Sequence, residues 1–177
     1  TTTAPPTSAT TTTTAPPTSA TTSVLPMSSV VPTTETPAPS TSVPVSVENA
    51  AYADEVVRLT NLERAKVGCA PLSVSTTLAG LARDFSADMV ARDYFSHVNP
   101  EGLTVFDRMA TVGYTYSMAG ENIAEGYGAP EAVMNAWMHS DAHKANILNC
   151  GYTQIGVGVV LNPSKGRVWT QEFGTPQ

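Results

Sequence analysis

The sequence predicts an α/β domain over residues 49–177, with helices on both faces of a small sheet, preceded by a long Thr/Ser/Pro-rich stretch. Three observations carry this expectation. Apolar residues recur at three- and four-residue steps through 49–67 and 75–94, the period of an amphipathic helix. Between Thr153 and Leu161, Ile155, Val157 and Val159 alternate with Gly156 and Gly158, the period of a strand. Composition also changes abruptly near residue 48.

Residues 1–48 are about two-thirds Thr, Ser and Pro, with no aromatic residue, and APPTSATT occurs at Ala4–Thr11 and again at Ala15–Thr22. Such a stretch buries too little apolar surface to offset chain entropy, so it is expected to be a disordered, extended stalk. Frequent proline favours polyproline-II geometry, and the hydroxyls offer O-glycosylation sites in a suitable host. The remaining residues are enough for one domain with a real core.

The expected helices follow in order. The first spans Asn49–Val67, with Val56, Leu59 and Leu62 inward, Glu63 and Arg64 outside, and Gly68 as its stop. Cys69–Ser75 is an extended connection, because Pro71 prevents the helix from continuing. Ser75–Tyr94 is expected to be the longest helix, burying Leu78, Leu81, Ala82, Phe85 and Met89, and its end leaves His97 in a loop. Leu103–Val112 is a short helix with Val105, Phe106 and Met109 inward. Tyr114–Glu125 is extended. Pro130 suits the first turn of the next helix, whose apolar face holds Val133, Met134 and Trp137. Asp141 is the expected cap of a last short helix carrying His143–Leu148. Two strands close the chain, Thr153–Leu161 and Arg167–Phe173. Glycines at alternate positions of the first let a helix or ring approach the sheet closely.

Charge and composition exclude several roles. Nine Lys+Arg against fifteen Asp+Glu give a formal charge of −6. With no basic run, nucleic-acid binding is not expected, and an anionic membrane surface repels the domain. No apolar stretch approaches the ~18 residues of a membrane span. The chain begins at Thr1 rather than Met, which is consistent with a signal peptide already removed. Cys69 and Cys150 have no CxxC or Cys–His metal spacing. Two buried thiols and one disulfide are the alternatives, and a disulfide formed after export is the preferred one.

All three histidines, His97, His139 and His143, fall in one region that also holds Glu121, Glu125 and Asp141. Histidine is the side chain most used as a metal ligand or proton carrier near neutral pH. No G-x-S-x-G motif is present, and Ser86, Ser96 and Ser140 lack a local activating arrangement. His139 and His143 have the spacing of a zinc helix, but the glutamate that follows the first histidine in that motif is missing. Ser140-Asp141 also reads as a helix start, which places the two histidines on different elements.

Four motifs in order, YFSH at Tyr94–His97, GENIA at Gly120–Ala124, HKANIL at His143–Leu148 and TQIGVGVV at Thr153–Val160, resemble the CAP superfamily. That superfamily includes cysteine-rich secretory proteins, venom antigens and plant pathogenesis-related proteins. The match covers about Asn49 to Phe173 and is most similar to the bacterial, SCP-like branch. The resemblance implies a three-layer α-β-α sandwich and a cleft lined by two histidines and two glutamates. His97 matches the first histidine, Glu121 the glutamate of the GEN motif and His143 the second histidine. The second glutamate falls near Ser140, where this sequence departs from the pattern, and Asp141 is the nearest carboxylate.

The function expected is a secreted, extracellular binding module, with wall association a further expectation. Its His97–Glu121–His143 cleft would hold a small hydrophobic, lipid or cell-envelope ligand. No cofactor is required; a weakly held divalent metal such as zinc, on His97 and His143, is the one the residues suggest. The alternatives are a metal-assisted extracellular hydrolase, in which Glu121 moves the proton, and a structural wall protein. Catalysis is not the expected role.

Overall fold

The computed structural model of the protein describes residues 45–177. Residues 1–44 of the expected stalk lie outside them, and residues 45–48 belong to the first helix. Among the described residues there are five helices, α1 (Val45–Lys66), α2 (Thr76–Ala91), α3 (Val105–Thr111), α4 (Pro130–Met138) and α5 (Asp141–Ile147). Four strands, β1 (Ser73–Val74), β2 (Tyr116–Glu125), β3 (Gln154–Asn162) and β4 (Gly166–Pro176), form one sheet in the order β1-β3-β4-β2. β1 pairs parallel with β3, while β3–β4 and β4–β2 are antiparallel.

Helices α1, α4 and α5 pack on one face of the sheet and α2 with α3 on the other, which is the three-layer α-β-α sandwich. The first face buries Val56, Val133, Trp137 and Ile147 against Ile155, Val157, Trp169 and Phe173. On the second, Leu78, Leu81, Val105 and Met109 form one cluster, and Phe85 and Met89 meet Ile123 and Val168 in another. The alternating glycines behave as expected. A Cβ on Gly156 would collide with the backbone of Leu78 and Ala79, and one on Gly158 with that of Ala82 and Arg83. α2 therefore lies directly on β3 because β3 has no side chains there.

Several expectations are corrected. α1 begins at Val45 rather than Asn49, and its Glu48 pairs with Arg167 at 3.0 Å. An acidic residue in the first turn also suits the helix dipole. α1, with 22 residues, is longer than the 16-residue α2. The buried stripe of α1 is Val56, Thr60 and Arg64, whereas Leu62 is about half exposed. Arg64 turns inward because four carbonyls await it there: it donates to Ala70 O, Ile147 O, Asn149 O and Tyr152 O. α2 stops at Ala91, with Asp93 in the left-handed region (φ 52°). In α3 Phe106 points outward and Arg108 is buried. Asp141 is the first residue of α5, and Ser140 occupies the cap position.

Cys69 and Cys150 form a disulfide, with Cα atoms 4.9 Å apart. It joins the chain just after α1 to the chain just after α5. No described helix is long and apolar enough to cross a membrane.

Candidate functional site

The site is built on β2, an edge strand of the sheet. An open strand edge exposes unpaired backbone groups and invites pairing with other chains. Here side chains cover it: Tyr152 donates its hydroxyl to Ala119 O, Asn146 its amide to Glu121 O and Trp137 its indole N–H to Ile123 O. Alternate carbonyls of the strand are thus capped, and α4 and α5 are drawn against the edge. These roles of Tyr152, Asn146 and Trp137 are not visible in the sequence.

Glu121 and Asn122 leave this strand on opposite faces, as neighbours on a strand must. Asn122 is fully buried, donates to His143 O at 3.1 Å and to Gln171 Oε1 at 3.0 Å, and accepts from Asn146 at 2.9 Å. It therefore fixes α5 and the backbone that presents His143. Glu121 is also buried. One of its oxygens lies 2.7 Å from Nδ1 of His97, and the other accepts from Nη2 of Arg108. Arg108 in turn donates through Nη1 to His97 O (3.0 Å) and Leu103 O (3.1 Å), and its guanidinium stacks on the Phe85 ring, 3.4 Å from the centroid. One arginine thus anchors both the carboxylate and the loop that carries the histidine.

His97 is half-exposed at the mouth of this arrangement. His143 is partly buried, and its imidazole is held below the ordinary 6.5, first by burial and then by repulsion from His97. Of the three residues expected to line a cleft, His97 and Glu121 are in direct contact, and His143 lies near enough to feel the charge of His97. His139 and Asp141 are exposed, and Nδ1 of His139 is engaged with Asn135 O at 2.8 Å. Among the described residues no three His, Cys, Asp or Glu side chains are grouped to hold a metal ion. Beside His143 opens a pocket of about 450 Å³, lined by Phe95, Ile123, Ala124, Tyr127, Trp137 and His143 among others.

Two residues that sequence reasoning missed belong to this site: Arg108 and Glu172. Glu172 stands opposite Glu121 across the β2–β4 pair and is fully buried. Arg108 had a signal, since it follows Val105 by three residues on the helix. Glu172 had only strand alternation, which does not say which face is buried.

Comparison with known proteins agrees with this architecture. YkwD of Bacillus subtilis, an uncharacterized protein, is 48% identical over 134 residues, covering 76% of this chain and 50% of its own length. YlbC of the same organism, described as an uncharacterized membrane protein, is 37% identical over 119 residues, 67% of this chain and 33% of its own. The chain thus spans half or less of these curated relatives. An extracellular SCP-domain protein of Bacillus anthracis superposes with a TM-score of 0.67 at 31% identity, covering 72% of this chain and 41% of that one. A cysteine-rich secretory protein of Staphylococcus aureus shares the fold with a TM-score of 0.62 at 20% identity, covering 72% and 39%. The family model for CAP, the cysteine-rich secretory protein family, matches residues 57–173, and the chain belongs to that family.

Proposed function

We propose that this chain is an extracellular binding module that holds a small hydrophobic or lipid-like ligand of the cell envelope. The observation that carries the reading is the pocket of about 450 Å³ beside His143, apolar along Phe95, Ile123, Ala124 and Trp137. Its volume and lining are those of a site for a small apolar molecule with few polar anchors. The ligand's polar head would meet His143, Ser140 and Glu125, and its apolar part would lie along Phe95 and Trp137; His97 and Glu121 are not among the residues that line this pocket. Export is supported by the disulfide and by the extracellular relative of Bacillus anthracis.

Metal-assisted hydrolysis is the weaker reading. Catalytic zinc takes three protein ligands, whereas among the described residues no three His, Cys, Asp or Glu side chains are grouped to supply them. The binding reading is tested by organic extraction of the purified protein and mass spectrometry of the extract. Titration with cis-parinaric acid, a fluorescent fatty acid, of wild type and Phe95→Asp follows. Saturable binding that Phe95→Asp weakens at least tenfold is expected. No extracted lipid together with equal fluorescence in both proteins would sink the proposal.

A further inference from the structure

Glu172 is a buried titratable group that the binding reading leaves unused. On β4 it faces Glu121 of β2 on one side and Gly156 of β3 on the other, so its side chain leaves the sheet on the same face as that of Glu121. Its exposure is zero, and among the described residues neither of its oxygens has a hydrogen-bond partner. Two ionised carboxylates side by side can only accept, so neither can satisfy the other. One proton on Glu172 turns a contact between two acceptors into one between a donor and an acceptor.

The surrounding charges point the same way. From β2 comes Glu121, and from α3 comes Arg108, whose Nη2 is already given to Glu121 and whose Nε is without a partner among the described residues. From β3 the neighbour is Gly156, and from α2 the Ser86 hydroxyl is occupied with Thr170 at 2.8 Å. Asp88 of α2 acts on the outer side of Arg108, and His97 binds the outer side of Glu121. A single guanidinium thus stands against two buried carboxyl groups. Burial, then the neighbouring Glu121, push Glu172 well above its ordinary value, and Arg108 only partly offsets them.

We propose that Glu172 is a positioning residue of the cleft: a neutral carboxylic acid that donates a hydrogen bond to Glu121 and so holds Glu121 as the anion between Arg108 and His97. Loss of that proton would place a second negative charge beside Arg108. The guanidinium would be drawn from Glu121 towards Glu172, and its bonds to His97 O and Leu103 O would loosen with it. The loop that carries His97 is in this way tied to one buried proton. The consequence for ligands rests on the binding reading above; the protonation itself does not.

The test uses ligand-free protein, so it stands whether or not the cleft binds lipid. Infrared spectra of wild type near pH 7 should show the C=O stretch of a buried protonated carboxyl, and Glu172→Gln should lack it. A folded-state value raised above the ordinary 4.5 means that this group favours the fold at low pH, and that its contribution is lost as pH rises through the raised value. Melting temperature should therefore fall more steeply with rising pH in wild type than in Glu172→Gln, which mimics the neutral acid and can still donate to Glu121. Glu172→Leu, neutral but with no donor, should speed amide exchange at Gly102 and Leu103 at least tenfold over Glu172→Gln. Absence of the protonated band in wild type overturns the proposal, even if neither variant folds. So do equal pH slopes in wild type and Glu172→Gln, or equal loop exchange in the Gln and Leu variants.

Discussion

Removing the Cys69–Cys150 bridge separates two sources of order at one corner of the fold. The bond spans 81 residues of sequence, and for so long a loop the chain-entropy relation gives about 4.5 kcal/mol near 25 °C. The same corner is held by Arg64, which donates to carbonyls on both sides of the bridge. Those hydrogen bonds exist only in the folded state, so they cannot replace a cross-link that acts on the unfolded chain. They do keep the native corner in place once the bridge is gone. The variant Cys69→Ala/Cys150→Ser, matching a buried and an exposed site, should therefore fold normally yet lose most of the entropic value. With a urea slope of about 2 kcal/mol/M, the unfolding midpoint should drop by about 2 M. The slope itself should rise, because an unlinked denatured chain exposes more surface. A loss below about 1 kcal/mol with an unchanged slope would refute the chain-entropy account. A variant without native near-ultraviolet dichroism would instead refute the holding role given to Arg64.

Two further outcomes are expected. Gly158→Ala drives a methyl group into the α2 backbone at Ala82 and Arg83 and should cost about 3 kcal/mol in thermal or urea unfolding. Gly128→Ala, with open space around it, should stay within about 0.5 kcal/mol, and similar losses at both sites would contradict the packing argument. His143 has its imidazole value lowered below 6.5, so it favours the fold above that pH and its contribution is lost as pH falls from 6.5 through the lowered value. His143→Gln should narrow the wild-type drop in melting temperature between about pH 7.5 and 5.5; an equal drop in both proteins would mean that His143 carries none of it.

The fold was legible where a local pattern and the tertiary demand coincide. In β3 the alternation of valine and glycine announced both the strand and the close approach of a helix, and α2 meets that surface with its own apolar stripe of Leu78, Leu81, Phe85 and Met89. It was less legible where burial depends on a partner distant in sequence. Leu62 is the better hydrophobe, but Arg64 occupies the inner face of α1 because carbonyls from the end of α5 and the α5–β3 connection converge there. Periodicity cannot anticipate this, since the acceptors lie more than eighty residues away. Arg108 displaced Phe106 in α3 for a related reason: Glu121 and the carbonyls of His97 and Leu103 supply a polar socket that an aromatic ring cannot fill.

For the site, family motifs pointed to His97, Glu121 and His143, yet motifs say nothing of what sits behind a residue. Glu121 is neither an isolated cleft carboxylate nor a surface acid. It is the middle of a row that runs from exposed His97 through Glu121 to enclosed Arg108, with Glu172 on the neighbouring strand. A row of this kind keeps its outer member oriented only while its inner charges balance, because a buried charge without a partner is far costlier than an exposed one. Orientation of His97 is then a property of α3 and β4 as much as of the loop that bears it. On that logic, substitutions at Arg108 or Glu172 should alter the orientation of His97 through Glu121.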